Sequence, residues 1–467
     1  MGRNTGTGSL RFVENISFMT PSGIPIHHYT CSRLRSFTLW TLLALGAIPF
    51  PAGAQAPAEP IDSFANRQDR LFVIAYEQRD IPAYTRLMAQ WQVRYNSLPG
   101  DEKKQWAPYT MNTWYNFSCT YALAGNATRA LDCLDSATRA GYADYGHLMQ
   151  DPDLVSIRRD PRFITLAARL RATGDYLYIL RKAGAYNRKD QRELPTFTYQ
   201  PSTDPDLVAL RKAFNLDSVA GTGNDASRAL NLLHWVHNGV PHDGNHENPV
   251  VKNALSLVGI CKKEGRGLNC RGLATVLNEA YLSIGFFSRM VTCLPKDSLG
   301  TDTDCHVIDM VFIPSLKKWI WCDPTHDAYL MDEKGRLLGI EEVRTRIIHN
   351  EPLILNPDAN WNHRSSTEKE EYLYHYMAKN LYMLECPTDS RYDNETRKAG
   401  KIIPYIRLIP LDYFKQGPDK TEFPDTRTGT TLVIYKTNDP GKFWQAPPAA
   451  AAAGEKTGNP SNPIAQP

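Results

Sequence analysis

The sequence predicts an α+β protein with an all-helical N-terminal domain, a mixed core of helices and strands, and a C-terminal extension. Tryptophans and other apolar residues recur at three- and four-residue spacing over 61–174, which is typical of helices that bury one face. Beyond Asp204, helical patterns come first and short branched or aromatic runs follow them. Such segregation of helices and strands along the chain favours an α+β architecture over an alternating one.

The individual elements follow from the same two spacings. Helical spacing predicts helices over 206–216, 225–238, 270–284 and 369–384. Short branched or aromatic runs predict strands over 288–294, 305–313, 318–323, 402–410 and 430–436. The charged stretch 181–202, which prolines interrupt, is predicted to be a linker, and the final residues, rich in Ala, Pro, Gly and Asn, are predicted to be a disordered tail.

The N-terminal segment has the layout of a signal peptide. Arg33 and Arg35 precede an apolar run over residues 37–48, and small residues follow, so that cleavage after Ala54 or after Ala56 fits equally well. A run of about 12 residues is shorter than the roughly 20 that a bilayer-spanning helix needs. The sequence therefore predicts export to the periplasm or the extracellular space, without a permanent membrane anchor.

Charge and cysteine spacing exclude several classes of site. The formal net charge is +3, and removal of residues 1–56 takes away four Arg and one Glu, which leaves a mature chain near neutrality. No basic patch is present, so a nucleic-acid partner is not expected. Eight of the nine cysteines remain after cleavage, and none forms a C-x-x-C pair, so neither a zinc site nor a disulfide scaffold is indicated. No cofactor is predicted.

The clearest helical piece is a predicted hairpin over 115–141. Its first helix ends at Gly125 and Asn126, and its second ends at Gly141. The longer run YNFSCTYALAGNATRALDCLDSATRAGYADYGHLMQDPDLVSIRRDPRF resembles the terminal unit of the tetratricopeptide repeat family, with its Ala-Gly turn and Asp-Pro-rich ending. This resemblance implies either a module that docks a protein partner or a helical appendage that packs on the neighbouring domain.

Cys270 is the predicted nucleophile. It follows Asn269, a good N-cap residue, and opens a predicted helix, so the thiol lies beside unpaired backbone N–H groups. These groups stabilise a thiolate and are suited to binding an oxyanion. Gly265 and Gly267, just upstream, are expected to let a substrate backbone approach the sulfur.

His306 and Asp323 are the predicted base and orienting carboxylate. His306 begins the alternating run CHVIDMVF, in which it shares a face with Ile308 and Met310. Asp323 ends the next run, KWIWCDP, and a hairpin that turns at 313–316 would place it directly opposite His306. A register shifted by two would place Thr325 there instead.

The three segments GLNCRGLATVLNEAYLSIGFFSRMV, CHVIDMVF and KKWIWCDPTHDAYL resemble the transglutaminase-like superfamily of papain-like thiol enzymes. The resemblance extends over about 226–346 and implies a catalytic triad of Cys270, His306 and Asp323, with Gly285 to Arg289 matching the family's ending of the catalytic helix. Family members include cross-linking transferases, peptidases, amidases and inactive scaffolds. No calcium-binding signature is visible, which favours hydrolysis of a peptide or protein amide over cross-linking. The alternative is a non-catalytic scaffold with an inert domain.

Together these features predict six segments: a signal peptide and leader at 1–56, a helical tetratricopeptide-like domain at 57–175, a linker at 176–225, the transglutaminase-like catalytic domain at 226–350, a C-terminal α/β extension at 351–445 and a disordered tail at 446–467.

Other readings of the same residues stay open. His326 is an alternative base. The histidines His234, His237, His242 and His246 form a loose cluster, for which a metal site is a minor alternative to a cleft-lining role for His242 or His246. Cys305 and Cys322 are candidates for a cross-strand pair behind the site. Aromatic residues over 412–444 are expected to line one wall of the cleft.

Overall fold

The computed structural model describes residues 59–296 and 304–448, together with two short paired strands, Phe18–Met19 and Pro25–Ile26. The predicted signal peptide and most of the predicted disordered tail lie outside the described residues. The chain divides into two compact units on either side of the Asp175–Tyr176 bond. None of the described helices combines the length and apolarity needed to cross a bilayer.

The first unit is helical, as predicted. Its core surrounds Trp91 and Trp106, whose rings meet edge to face. Gly125 and Gly141, both with positive φ, end the two helices of the predicted hairpin. The resemblance to a tetratricopeptide unit stays a prediction. The helices of this unit are α1 (Ile61–Glu77), α2 (Ile81–Asn96), α3 (Gly100–Leu123), α4 (Ala127–Arg139), α5 (Tyr145–Gln150), a 3₁₀ turn (Pro152–Ile157) and α6 (Pro161–Gly174).

The second unit combines helices with one mixed sheet, which confirms the α+β class. Residues 254–264 form a helix for which the sequence made no prediction. The helices are α7 (Tyr176–Lys182), α8 (Pro205–Ala213), α9 (Leu216–Ala220), α10 (Asp225–Gly239), α11 (Ala254–Glu264), α12 (Cys270–Ser283), α13 (Ile340–His349), a π-helix (Glu370–Met377), α14 (Ala378–Asn380) and α15 (Pro440–Phe443).

Seven strands form the main sheet, in the spatial order β6-β7-β5-β4-β1-β2-β3. Neighbours pair antiparallel except for β5 and β7, which are parallel. Short two-residue ladders form separate two-stranded sheets. The strands are β1 (Ser288–Leu294), β2 (His306–Ile313), β3 (Lys318–Cys322), β4 (Met383–Pro387), β5 (Ile402–Leu408), β6 (Lys420–Asp425) and β7 (Thr430–Thr437).

The segment predicted as a C-terminal extension supplies β4 to β7 of this sheet. The helix predicted over 369–384 is shorter than expected, because residues from Met383 onward form β4 at the centre of the sheet. Both faces of β4 are buried, so its residues lack the alternation that would have marked a strand. Tertiary pairing outweighs the local helical spacing here.

Candidate active site

Cys270 opens α12, and the start of this helix is held by side-chain caps. The Asn269 side chain accepts a hydrogen bond from the Gly272 N–H at 3.2 Å, which confirms the predicted N-cap. The Asn248 amide contacts Asn269 twice, accepting from its backbone N–H at 3.0 Å and donating to its side-chain oxygen at 2.6 Å. The first turn of α12, and with it the sulfur, is therefore fixed by more than one contact.

The sequence suggested that Gly265 and Gly267, upstream of Cys270, let a substrate backbone approach the sulfur. The structure gives both glycines other roles. Gly265 ends α11 in the left-handed conformation, with φ of 64°. A Cβ on Gly267 would lie 2.5 Å from the Pro241 carbonyl oxygen and 2.8 Å from the Asp243 Cβ. The close approach that Gly267 permits is therefore made by the protein's own 241–243 segment.

His306 lies at the start of β2, and its register against β3 differs from the predicted one. The turn occupies residues 314–317, and Asp309 pairs with Cys322, so the register is shifted by two from the one that places Asp323 opposite His306. Asp323 follows the end of β3 and lies diagonally from His306 on the same face. Long side chains span such a diagonal. The His306 Nε2 and Asp323 Oδ2 atoms are 2.7 Å apart.

This register also corrects the suggested pairing of Cys305 with Cys322. Cys322 lies opposite Asp309, whereas Cys305 precedes β2 and is partly exposed. Each of the eight described cysteines is a free thiol.

Asp323 is buried and surrounded by donors. Tyr372, on the π-helix, donates to Asp323 Oδ2 at 2.6 Å, and the Thr325 N–H donates to Oδ1 at 2.9 Å. Burial alone would raise the pKa of this carboxyl, but the charge and hydrogen bond of His306, together with the Tyr372 hydrogen bond, hold it well below its usual range. Asp323 is therefore a carboxylate at any working pH.

The Cys270 thiol and the His306 imidazole titrate as a pair. Burial opposes ionisation of the thiol, yet hydrogen bonds from His242 and His306, together with the charge of His306, lower the pKa of Cys270 to about 6. Burial likewise disfavours the charged imidazole, and the charge of Asp323 and its hydrogen bond raise the pKa of His306 to about 10. Between these values the pair is a thiolate and an imidazolium.

The remaining candidate histidines do not form a common ligand set. His234 bonds Asp327 at 2.7 Å, His237 lies between the Pro324 carbonyl and Asn360, and His246 bonds Asp243. Among the described residues the one group with metal-ligand geometry is Cys119, Asp151 and Asp153, in the helical unit, where tyrosine hydroxyls already donate to both carboxylates.

His326, the alternative base, lies beside His306. Its Nδ1 atom is 3.1 Å from the Thr367 hydroxyl, and its ring centre is 6.0 Å from that of His306. Burial lowers the pKa of His326 to about 4, so the ring is neutral.

A family model described as the transglutaminase-like superfamily matches residues 212–324. The chain contains a transglutaminase-like domain. The match begins near the end of α8 and ends directly after Asp323, so it includes all three predicted site residues. No curated protein and no solved structure shows significant similarity to the chain.

The sequence did not indicate two aromatic residues, Tyr372 and Tyr376, that contact predicted site residues. Tyr372 bonds Asp323, and the Tyr376 ring lies edge-on to His306 with the centroids 5.2 Å apart. The signal was their four-residue spacing in a predicted helix, although nothing local indicated which surface that helix would cover. The aromatic residues expected on the cleft wall lie elsewhere, since Phe443 is fully buried against Trp444 and Tyr413 belongs to a separate cluster with Tyr382.

Proposed function

We propose that the protein is a cysteine hydrolase that cleaves an amide bond in a peptide or protein, with Cys270 as nucleophile, His306 as general acid and base, and Asp323 as the orienting carboxylate. One observation carries this proposal. Burial raises the pKa of the seven other described thiols, whereas the pKa of Cys270 alone is lowered, to about 6. A thiolate at neutral pH beside a charged imidazole is a nucleophile with its proton already transferred.

The contacts supply each proton that the reaction needs. The thiolate attacks the amide carbonyl, a C–S bond forms, and the carbonyl π pair moves to oxygen. Because Nε2 of His306 faces Asp323, Nδ1 is the atom left to serve the sulfur and the substrate. As the tetrahedral intermediate collapses, Nδ1–H protonates the leaving amine and the C–N bond breaks. His306 Nδ1 then takes a proton from water, whose oxygen forms a C–O bond with the thioester carbonyl. The C–S bond breaks, the carboxylic acid product leaves, and the thiolate–imidazolium pair is restored.

Water as the acyl acceptor distinguishes this proposal from cross-linking, in which an amine would take that place. The alternative function is that of a non-catalytic scaffold whose transglutaminase-like domain is inert. A scaffold has no need of an ionised thiol, so the ionisation state of Cys270 separates the two classes of function.

Alkylation tests the proposed nucleophile. We expect iodoacetamide to label Cys270 along a pH profile whose midpoint lies near the pKa of about 6, whereas an ordinary free thiol ionises near about 8.5. Mass spectrometry of peptides from the protein alkylated at pH 7 should find the label mainly on Cys270. Cys270→Ala should lose this labelling and all thioester formation with an electrophilic peptide probe.

Cys305→Ser is the matched control, because Cys305 is the other partly exposed described cysteine and its pKa is raised by burial. This variant should keep the wild-type labelling rate at Cys270. Equal labelling of all eight described cysteines at pH 7 would contradict the hydrolase and favour the scaffold.

We also propose that the enzyme is exported to the periplasm or the extracellular space and that its helical unit docks a protein partner. Export rests on the basic, apolar and small-residue pattern over 33–56. N-terminal sequencing of the secreted protein should begin at Gln55 or Pro57. A recovered chain that still carries residues 37–48 would indicate a membrane anchor instead.

A further inference from the structure

The helix α12, which begins at Cys270, carries a polar stripe made of Arg271, Thr275, Asn278 and Glu279. These residues follow one another at intervals of four, three and one, which places them along one side of a helix. The last three are buried, and the Arg271 side chain is 27% exposed. Buried polar groups are paired with hydrogen-bond partners in native proteins. The partners of the stripe therefore show what holds this helix in place.

Several partners of the polar stripe lie in the segment 389–396, between β4 and β5. The Asn278 amide exchanges two hydrogen bonds with the Ser390 hydroxyl, at 3.1 and 3.2 Å. The Asp393 N–H donates to the Glu279 carboxyl at 3.0 Å. This part of the predicted C-terminal extension thus makes hydrogen bonds along α12.

Arg271 is the residue of the stripe that lies nearest to the nucleophile. Its Nη1–H donates to the Glu395 carboxylate at 3.3 Å, and its Nη2–H donates to the Thr292 hydroxyl at 2.9 Å. Glu395 is 1% exposed, and Tyr405 on β5 donates to its other oxygen at 3.1 Å. The guanidinium is therefore bound at one nitrogen by a buried carboxylate and at another by a strand of the main sheet.

Thr292 connects this contact to the proposed base. β1 pairs with β2, and Thr292 lies opposite Val307, the neighbour of His306. Since Arg271 directly follows Cys270, one guanidinium joins the first turn of α12 to the strand that borders β2. A guanidinium presents its N–H groups in a rigid planar fork, so it holds two acceptors at fixed angles, whereas a lysine ammonium does not.

We propose that Arg271 is a positioning residue for the Cys270 thiol and that Glu395, in the C-terminal extension, holds Arg271 in place. The pair thereby sets the position of the sulfur relative to the His306 imidazole. This inference rests on the proposed hydrolase function and assigns the extension a role in it. Burial opposes ionisation of Glu395, but the charge of Arg271 lowers its pKa, so the contact is an ion pair.

Loss of the Glu395 charge separates a positioning role from a purely electrostatic one, because the two roles predict pKa shifts of opposite sign. Removal of a nearby negative charge stabilises a thiolate, so electrostatics alone would lower the pKa of Cys270 further. A displaced sulfur instead loses part of the stabilisation that, against burial, lowers its pKa to about 6. Positioning therefore predicts a rise.

The test uses the full chain and two reactions of Cys270. The midpoint of the pH profile of iodoacetamide alkylation reports the pKa of the thiol, and release of p-nitrophenolate from p-nitrophenyl acetate reports acylation. Both are measured below the melting temperature of each variant, for Glu395→Gln, Arg271→Lys and the double variant Arg271→Met/Glu395→Gln. None of these leaves a buried carboxylate without its cation, which is the change that endangers folding.

We expect Glu395→Gln and Arg271→Lys to raise the alkylation midpoint by about one pH unit or more and to lower the acylation rate by about 10-fold or more, since small displacements of reacting atoms are costly. The double variant should show the same two changes. Arg391→Met is the matched control, because Arg391 lies on the same segment but is 53% exposed and pairs with Asp389. It should resemble the wild type in both reactions.

Three results would overturn the inference. A lowered or unchanged midpoint in Glu395→Gln would leave that residue no positioning role, and wild-type behaviour of Arg271→Lys would show that only the charge of Arg271 matters. A double variant with the wild-type midpoint and rate would show that Arg271 serves only to neutralise Glu395.

In each of these cases the wild type is still acylated, so the hydrolase proposal stands. A wild-type protein that is alkylated at Cys270 but never acylated would instead refute the hydrolase, and the alkylation midpoints would still decide whether Arg271 positions the thiol.

Discussion

His306→Ala is expected to remove the thiolate from Cys270 at neutral pH. In the wild type the hydrogen bond and the charge of His306 help to lower the pKa of the buried thiol to about 6. Without them burial dominates, and the pKa should rise to or above the value of about 8.5 for a free thiol. At pH 7 the thiolate would fall to a few per cent, and acylation should fall by roughly 100-fold or more because the general acid is lost as well.

The dependence of the acylation rate on pH also tests the role of His306. The thiolate is lost as pH falls through the Cys270 pKa of about 6, and the imidazolium is lost as pH rises through the His306 pKa of about 10. Wild-type acylation should therefore be bell-shaped between these limits. In His306→Ala the rising limb should move to alkaline pH and the falling limb should disappear.

Asp323→Asn should narrow, from both ends, the pH range over which acylation is fast. The Asp323 charge is what chiefly raises the pKa of His306 against burial, so its loss moves the falling limb to lower pH. A less basic imidazole also stabilises the thiolate less, which moves the rising limb up. His375→Ala, on the exposed face of the π-helix, is the control and should keep the wild-type pH profile.

If the alkylation kinetics of His306→Ala match those of the wild type, His306 has no part in the mechanism.

The positions of Cys270 and His306, two residues of the proposed triad, could be predicted because they depend on local rules. Asn269 caps a helix and so fixes Cys270 at its start, and strand alternation places His306, Ile308 and Met310 on one face. The observed limits of β1 match the predicted ones at both ends.

The hairpin register could not be predicted in the same way. The turn over 314–317 ends at Lys317, which adopts a φ of 50° normally favoured by glycine or asparagine, so the residue at that position does not signal where the turn ends. The contacts of Tyr372 with Asp323 and of Tyr376 with His306 join residues distant in sequence, and local patterns carry no information on which surfaces will meet. The fold class follows from the order of elements, whereas the residues that contact His306 and Asp323 are brought there by long-range packing.

Deletion of residues 443–467 is the stability prediction with the largest expected effect, and it concerns the buried Arg289 of β1. This guanidinium is 1% exposed. It donates to the Tyr199 hydroxyl at 2.6 Å, to the Phe443 carbonyl at 2.8 Å and to the Gln445 carbonyl at 3.0 Å. Its flat faces lie against the Phe197 and Trp319 rings. Two of its three hydrogen-bond acceptors thus come from the last described residues of the chain.

A chain that ends at Lys442 would keep the buried cation and lose these two acceptors. Removing partners of a buried charge costs about 3–5 kcal/mol of unfolding free energy, and loss of the fully buried Phe443 side chain adds to this. We expect the melting temperature to fall on the order of 10 °C. A chain that ends at Ala446 is the matched control, because it retains both carbonyls and should melt as the full chain does.

Arg289→Met separates loss of the acceptors from loss of chain length. In the full chain this substitution removes three satisfied hydrogen bonds and should destabilise. In the chain that ends at Lys442 it removes an unsatisfied buried cation, so it should cost much less or raise the melting temperature. The two effects together form a double-mutant cycle whose coupling energy reports the contact between Arg289 and the terminal carbonyls. Additive effects, or equal melting of the chains ending at Lys442 and Ala446, would show that Arg289 does not depend on the C-terminal segment.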